Sequence, residues 1–309
     1  MCIRRVSRKW DSREKGKRMH SYLPAIGFGQ IKKKSQFQKL LESIIASPDS
    51  MTIVPIDEES NCTVLTREVE DGIGLALCGE TDSTGQFQME YHFPYILSRI
   101  ESTGEECTIR KQSDRDAYNG MCDDYRLGLN LIFFLNNFMD YKKREQLTHN
   151  WPQTNGVCLS ALAVSGKILL PVQKTAKQQR ILQKDSSQCR QLLEAARQGD
   201  QSAMEDLAVR DMQLYSQVSQ RVAKQDLYSV VETFFMPCGA ECDQYTIMGY
   251  ITAFRKTVNR VSGEGLYILE LECNELPLRV CIGESGLLGE PKVGRRFKGD
   301  IWLQGKGII

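Results

Sequence analysis

Histidine is scarce in this chain: His20, His92 and His149 are the only three among 309 residues. That limits acid–base and metal chemistry, which draw heavily on imidazole. No H-E-x-x-H pair and no G-x-x-x-x-G-K loop is present. Gly27-x-Gly29 and Gly72-x-Gly74 lack the third glycine of a dinucleotide-binding turn. Gly283-Glu284-Ser285-Gly286 lacks the glycine two places after the serine that a nucleophile elbow requires. Long apolar runs are missing too. The most apolar stretch, 127–139, is interrupted by Asn130, Asn136 and Asn137. It falls short of the ~20 apolar residues of a spanning helix. No apolar segment follows the basic N-terminus, so no secretory signal is read, and the expected address is the cytosol.

The composition, with 41% hydrophobic and 26% charged residues, belongs to a globular protein with a sizeable core. Eleven cysteines at irregular spacing, in a chain of this length without an export signal, read as free and mostly buried thiols. The net charge of +1 conceals a basic stretch over 1–18 and a mildly acidic remainder. Residues 1–18 read as a disordered extension, with Met19 as the expected true start.

Phe37, Leu40, Leu41, Ile44 and Ile45 recur at helical spacing, with Ser35 and Gln38 as a capping box and Pro48 beyond the end. Lys32, Lys33 and Lys34 read as a solvated turn before that helix. Strands are expected at Met51–Ile56, Cys62–Glu70, Ile73–Cys78 and Gln86–Tyr95, with a weaker one at Cys107–Lys111. In the fourth, Phe87, Met89, Tyr91 and Phe93 alternate with Gln88, Glu90 and His92, which predicts one buried and one polar face. A core helix is expected from about Asp123 to Arg144. A hairpin is expected around Ser165–Gly166. Residues 175–232 read as a helical connector broken at Gly199–Asp200, with Asp200 and Asp226 as caps. Strands at Tyr245–Phe254, Leu266–Glu272, Leu276–Ile282 and Phe297–Gln304 predict a small OB-like or SH3-like barrel. The expected fold is therefore α+β, divided into the extension 1–18, a mixed α/β domain 19–174, the connector 175–232 and a barrel 233–309.

Several stretches together resemble one family. They are Met19-His20-Ser21-Tyr22-Leu23, Met89-Glu90-Tyr91-His92-Phe93-Pro94-Tyr95, Ile168-Leu169-Leu170-Pro171-Val172, Glu241-Cys242-Asp243-Gln244-Tyr245 and Gly289-Glu290-Pro291-Lys292-Val293-Gly294-Arg295-Arg296-Phe297 with Ile301-Trp302-Leu303-Gln304. The set is similar to an uncharacterised domain-of-unknown-function family of about 300 residues from anaerobic Gram-positive bacteria. The resemblance covers residues 19–309 and supplies no activity, cofactor or site residue.

Candidate chemistry is sparse. Cys238, Cys242, Cys273 and Cys281 could hold zinc, but the second pair lacks close spacing, so no metal and no cofactor is expected. Glu90 and His92, two apart on a strand, could work as base and orienter. A polar surface pair is the commoner use of such a spacing. Asp114, Asp116, Asp123 and Asp124 precede the expected core helix, where Asp123 could cap it. Arg295, Arg296 and Lys298 with Trp302 form a basic and aromatic patch suited to single-stranded nucleic acid, although the surrounding module is near neutral. The leading expectation is a non-enzymatic binding or regulatory protein with a protein or small-molecule ligand. Nucleic-acid association through the patch and an enzyme centred on Glu90 and His92 are the alternatives.

Overall fold

The computed structural model describes residues 19–113, 116–124, 126–148, 153–172, 191–192, 195–196, 198–222, 231–239 and 242–309. The expected extension 1–18, Asp114, His149, Asp226 and most of the first connector helix lie outside the described residues.

A 3-10 turn at Leu23–Ile26 leads to helix α1, Lys34–Ala46. Phe37, Leu40, Leu41 and Ile44 are buried on one side of α1, as their spacing requires. The residue that reaches back at its start is Gln36, whose Oε1 accepts from the Lys33 amide at 3.2 Å. Gln38, the expected partner, instead donates to Glu42 one turn on.

Four strands follow as an antiparallel meander: β1 Ser50–Pro55, β2 Ser60–Glu70, β3 Ile73–Asp82 and β4 Phe87–Ile96. The turns at Gly72 and Gly85 have positive φ, the conformation glycine adopts without penalty.

The second sheet is larger. It contains β5 Thr103–Lys111, β6 Tyr118–Asp124, β7 Leu129–Leu135, β8 Thr154–Leu169, β9 Phe234–Pro237, β10 Gln244–Val258, β11 Gly265–Cys273, β12 Leu276–Gly283, the two-residue β13 Leu287–Leu288 and β14 Arg296–Gly307. Helix α2, Phe138–Thr148, follows β7, and α3 spans Gln201–Val222. Asp200 caps α3 as expected, accepting from the Ser202 amide at 2.9 Å.

The fold class departs from the α+β expectation. The protein is mostly β, and no small barrel is made by the C-terminal segment alone. Strands β10, β11, β12 and β14 close into a ring only through β8, which pairs in parallel with β12 and antiparallel with β14. A second ring runs β8–β5–β6–β7–β14. The two rings share the long β8–β14 ladder, which runs from Leu169–Arg296 to Val157–Gly307.

Two local readings are corrected with it. The expected helix from Asp123 is the β6–β7 hairpin followed by the short α2. Leu131–Leu135 is an apolar run with two phenylalanines that suits a strand buried on both faces, a pattern periodicity alone cannot separate from a buried helix. The hairpin turn bonds the Gly128 amide to the Asp124 carbonyl, with Gly128 at φ 65°. The expected break at Ser165–Gly166 is absent, because β8 runs straight through it. Gly166 serves packing here: a Cβ at that position would strike the buried Phe297 ring.

Candidate functional site

β4 carries both Glu90 and His92, and a bulge parts them. Cys78 of β3 faces Tyr91, whereas Gly79 faces Met89, so Glu90 is an extra residue without a partner. One extra residue reverses the alternation beyond it. Phe87 and Met89 consequently share a face with His92, and Tyr91 and Phe93 take the other. This overturns the expected polar face. His92 is buried, its ring 4.8 Å from Phe37 of α1 and 6.4 Å from His20. Glu90 lies on the opposite side, in the field of Glu80, Asp116, Lys142 and Lys111. Burial, then Glu80 and Asp116, raise its carboxyl above the ordinary range.

Beside Glu90 sits a compact polar cluster. Asp116 accepts from Lys111 at 2.7 Å and from Lys142 of α2. The Cys62 sulfur lies 3.6 Å from Lys142 Nζ and 3.7 Å from Asp116 Oδ2. Tyr91 donates to the Asp116 carbonyl at 2.8 Å. Burial alone would raise the Asp116 carboxyl, but the two ammonium groups outweigh it and hold it below the usual range. Burial pushes the Cys62 thiol up despite Lys142, so the thiol stays protonated and is a poor nucleophile. The expected carboxylate cluster is thus divided. Asp116 joins two lysines, while Asp124 is fully buried and grips Arg126 inside the β6–β7 turn. Asp123 caps no helix, because it belongs to β6.

The basic and aromatic candidates on β14 and just before it are similarly separated. Arg296 is buried and donates to the Leu170 carbonyl at 2.8 and 3.0 Å and to the Val231 carbonyl at 2.8 Å. Arg295 donates to the Glu290 carbonyl at 2.8 Å. The Lys298 ammonium lies 5.8 Å from the centre of the Phe234 ring. Trp302 is buried, donates to Asp243 at 2.7 Å, and packs against His20 and Phe134 at 4.8 and 5.2 Å. Strand alternation puts 296, 298, 300 and 302 on one face, but the interior covers both ends of that row.

The four cysteines considered for zinc stand apart. Cys273 donates to the Met248 and Phe234 carbonyls and Cys281 to the Ala25 carbonyl. Burial pushes both thiols up to about 12. Cys238 lies 3.6 Å from Thr246 Oγ1, and Cys242 points at the Gln244 carbonyl. Among the described residues, no three His, Cys, Asp or Glu side chains converge as metal ligands.

The two edges of the four-stranded sheet differ sharply. On the β4 side, Gln304 Nε2 donates to the Pro94 carbonyl at 2.9 Å and Gln304 Oε1 accepts from the Ile96 amide at 3.1 Å. Ser160 and Asn136 both donate to the Ile96 carbonyl, at 2.6 and 3.0 Å. Side chains from β14, β8 and the residue after β7 therefore close the Pro94–Ile96 end of that edge. On the β1 side no described strand pairs. The Ile56 amide bonds to the Ser60 carbonyl at 2.9 Å, which sets the alternation: Ser50, Thr52 and Val54 bond to β2, and Met51 and Ile53 turn amide and carbonyl outward. Met51, Ile53 and Ile56 are 51%, 44% and 52% exposed. β1 contains no charged residue, and Gln146 of α2 covers only the Pro55 carbonyl at its end. The strand itself was legible in the sequence. Its place at an edge was not, and the short uncharged stretch ending in Pro55 was the available hint.

No helix among the described residues is long and apolar enough to cross a membrane. Comparison with curated proteins and with solved structures finds no match. Residues 23–305 match the family described as "Domain of unknown function, E. rectale Gene description (DUF3881)", and the chain belongs to that family.

Proposed function

We propose that this is a non-enzymatic cytosolic binding protein that takes up an extended segment of a partner protein along β1. The observation that carries the reading is the contrast between the two edges of one sheet. The Pro94–Ile96 end of β4 is closed by four side-chain bonds, whereas Met51 and Ile53 of β1 have no main-chain partner among the described residues and carry exposed apolar side chains. An added strand satisfies those groups, and its alternate side chains meet Met51 and Ile53. The partner segment is accordingly short, extended and uncharged, with apolar residues at every second position. The sequence-derived candidates elsewhere support the same reading, since Arg296, Trp302 and His92 are engaged in holding the fold.

The test uses uncharged hexapeptides of alternating apolar residues, including one with the sequence of Ser50–Pro55. Binding should slow amide hydrogen exchange at Met51 and Ile53 and leave β4 unchanged. Met51→Lys and Ile53→Lys should abolish it, because a charged edge repels an added strand. Unaltered exchange at both amides with every peptide, in a chain that stays monomeric, would remove the proposal. A concentration-dependent dimer abolished by Ile53→Lys would replace the partner segment with a second copy of this chain.

A further inference from the structure

Cys107 and Cys122 face one another across the β5–β6 ladder, and among the described cysteines no other two are cross-strand partners. Their position in the ladder matters. The Gln112 amide bonds to the Ala117 carbonyl at 2.8 Å, and these two residues lie on the same register as the β5–β6 pairs. In an antiparallel ladder, hydrogen-bonded and non-hydrogen-bonded pairs alternate. Counting from Gln112–Ala117, the Cys107–Cys122 pair is of the non-hydrogen-bonded kind. Its Cα atoms are then about 4.5 Å apart, within the ~4.4–6.8 Å that a disulfide spans. Both residues are buried, so neither side chain has a competing solvent-facing rotamer.

We propose that Cys107 and Cys122 are a reversible redox modification site that closes into a cross-strand disulfide. The two thiols interact across the ladder, and the Cys107 thiol also donates to the Glu105 carbonyl at 3.5 Å. With Cys107 as the attacking sulfur, Cys122 is the resolving one.

Hydrogen peroxide, small enough to enter on local opening, is the oxidant. The Cys107 thiolate attacks one peroxide oxygen and the O–O bond breaks. Cys107 becomes a sulfenic acid, and the departing hydroxide takes the thiol proton as water. The Cys122 sulfur then attacks Cys107, the S–O bond breaks, and the released hydroxide carries the Cys122 proton away as a second water. Two thiols are oxidised and one peroxide is reduced.

The experiment treats the intact chain with hydrogen peroxide, blocks remaining thiols with N-ethylmaleimide after unfolding, and maps peptides with and without reductant. The expected result is one reductant-sensitive link between the Cys107 and Cys122 peptides. It should be retained in Cys62→Ala and lost in Cys107→Ala and Cys122→Ala. The exposed Cys238 serves as an internal gauge of oxidation. If Cys238 is oxidised while Cys107 and Cys122 are both still alkylated, the proposal fails. It also fails if Cys107 is linked elsewhere. Cys122→Val and Cys107→Val, which preserve core volume, should instead leave a dimedone-reactive sulfenic acid at the remaining cysteine in at least one of the two, and its absence from both would equally overturn the assignment.

Discussion

The four-stranded sheet and the ten-stranded sheet are built by opposite routes. In the first, every strand pairs with its neighbour in sequence, through turns at 56–60, Gly72 and Gly85. In the second, the central ladder joins β8 to β14 and so pairs Val157 with Gly307. Local pairing closes short loops at little entropic cost, whereas the β8–β14 ladder must first bring distant segments together. The larger sheet repays that cost with interior polar anchors. Arg296 reaches the Leu170 and Val231 carbonyls, and Gln304 ties β14 to the edge of β4. A meander can therefore leave an edge open, while the ringed sheet has β8 and β14 doubly committed.

The contrast is open to several breaks. The largest effect is expected from a fragment of residues 233–309. It lacks β8, so β12 and β14 lose their shared partner, and far-UV circular dichroism and amide dispersion should report an unfolded chain. A folded fragment would return the C-terminal module to independence. Next comes Arg296→Ala, which removes a buried guanidinium from the Leu170 and Val231 carbonyls and should cost about 2 kcal/mol in urea unfolding. Gln304→Ala leaves the Pro94 carbonyl and the Ile96 amide without their partner and should cost about 2 kcal/mol. Its hydrogen-exchange signature should be fastest opening at β4, the seam between the sheets.

A smaller, pH-dependent effect belongs to Asp116. Its carboxyl is held below the unfolded value, so its contribution is complete above that value, about pH 4, and is lost as pH falls through the lower folded value. Asp116→Asn should flatten the acid limb of the stability profile while leaving its slope near neutrality unchanged. The least effect on stability is expected at the open edge. Ile53→Lys should change unfolding free energy by no more than about 0.5 kcal/mol while removing peptide protection at β1. A large destabilisation there would mean that β1 is already covered by its own chain.

Helix α1 and the four strands of the meander were legible because each rests on local pattern. Phe37, Leu40, Leu41 and Ile44 follow helical spacing, and the strands lie between glycine turns. The misreadings share one cause. Leu131–Leu135 is apolar throughout, so periodicity could not distinguish a doubly buried strand from a helix. Gly166 read as a turn because the Phe297 ring that demands a small residue lies over a hundred positions away. At Glu90 a single bulged residue reversed the faces of β4, and the shared face of Glu90 and His92 disappeared with it. Arg295, Arg296 and Lys298 formed a patch only along the chain. In the fold Arg296 turns inward to carbonyls of segments far from it in sequence.

The sequence by itself determined the local elements of this protein: the span of α1, the turns of the meander, the Asp200 cap and the C-terminal strands. It also placed the chain among its relatives. Only the tertiary structure decided that β8 closes both rings, that the end of β4 is bonded while β1 pairs with no further described strand, and that Cys107 faces Cys122. The division has a physical reason. Helical spacing, caps and tight turns are settled by neighbours a few residues apart, whereas the register of a ladder and the covering of an edge depend on segments that meet only when the core closes.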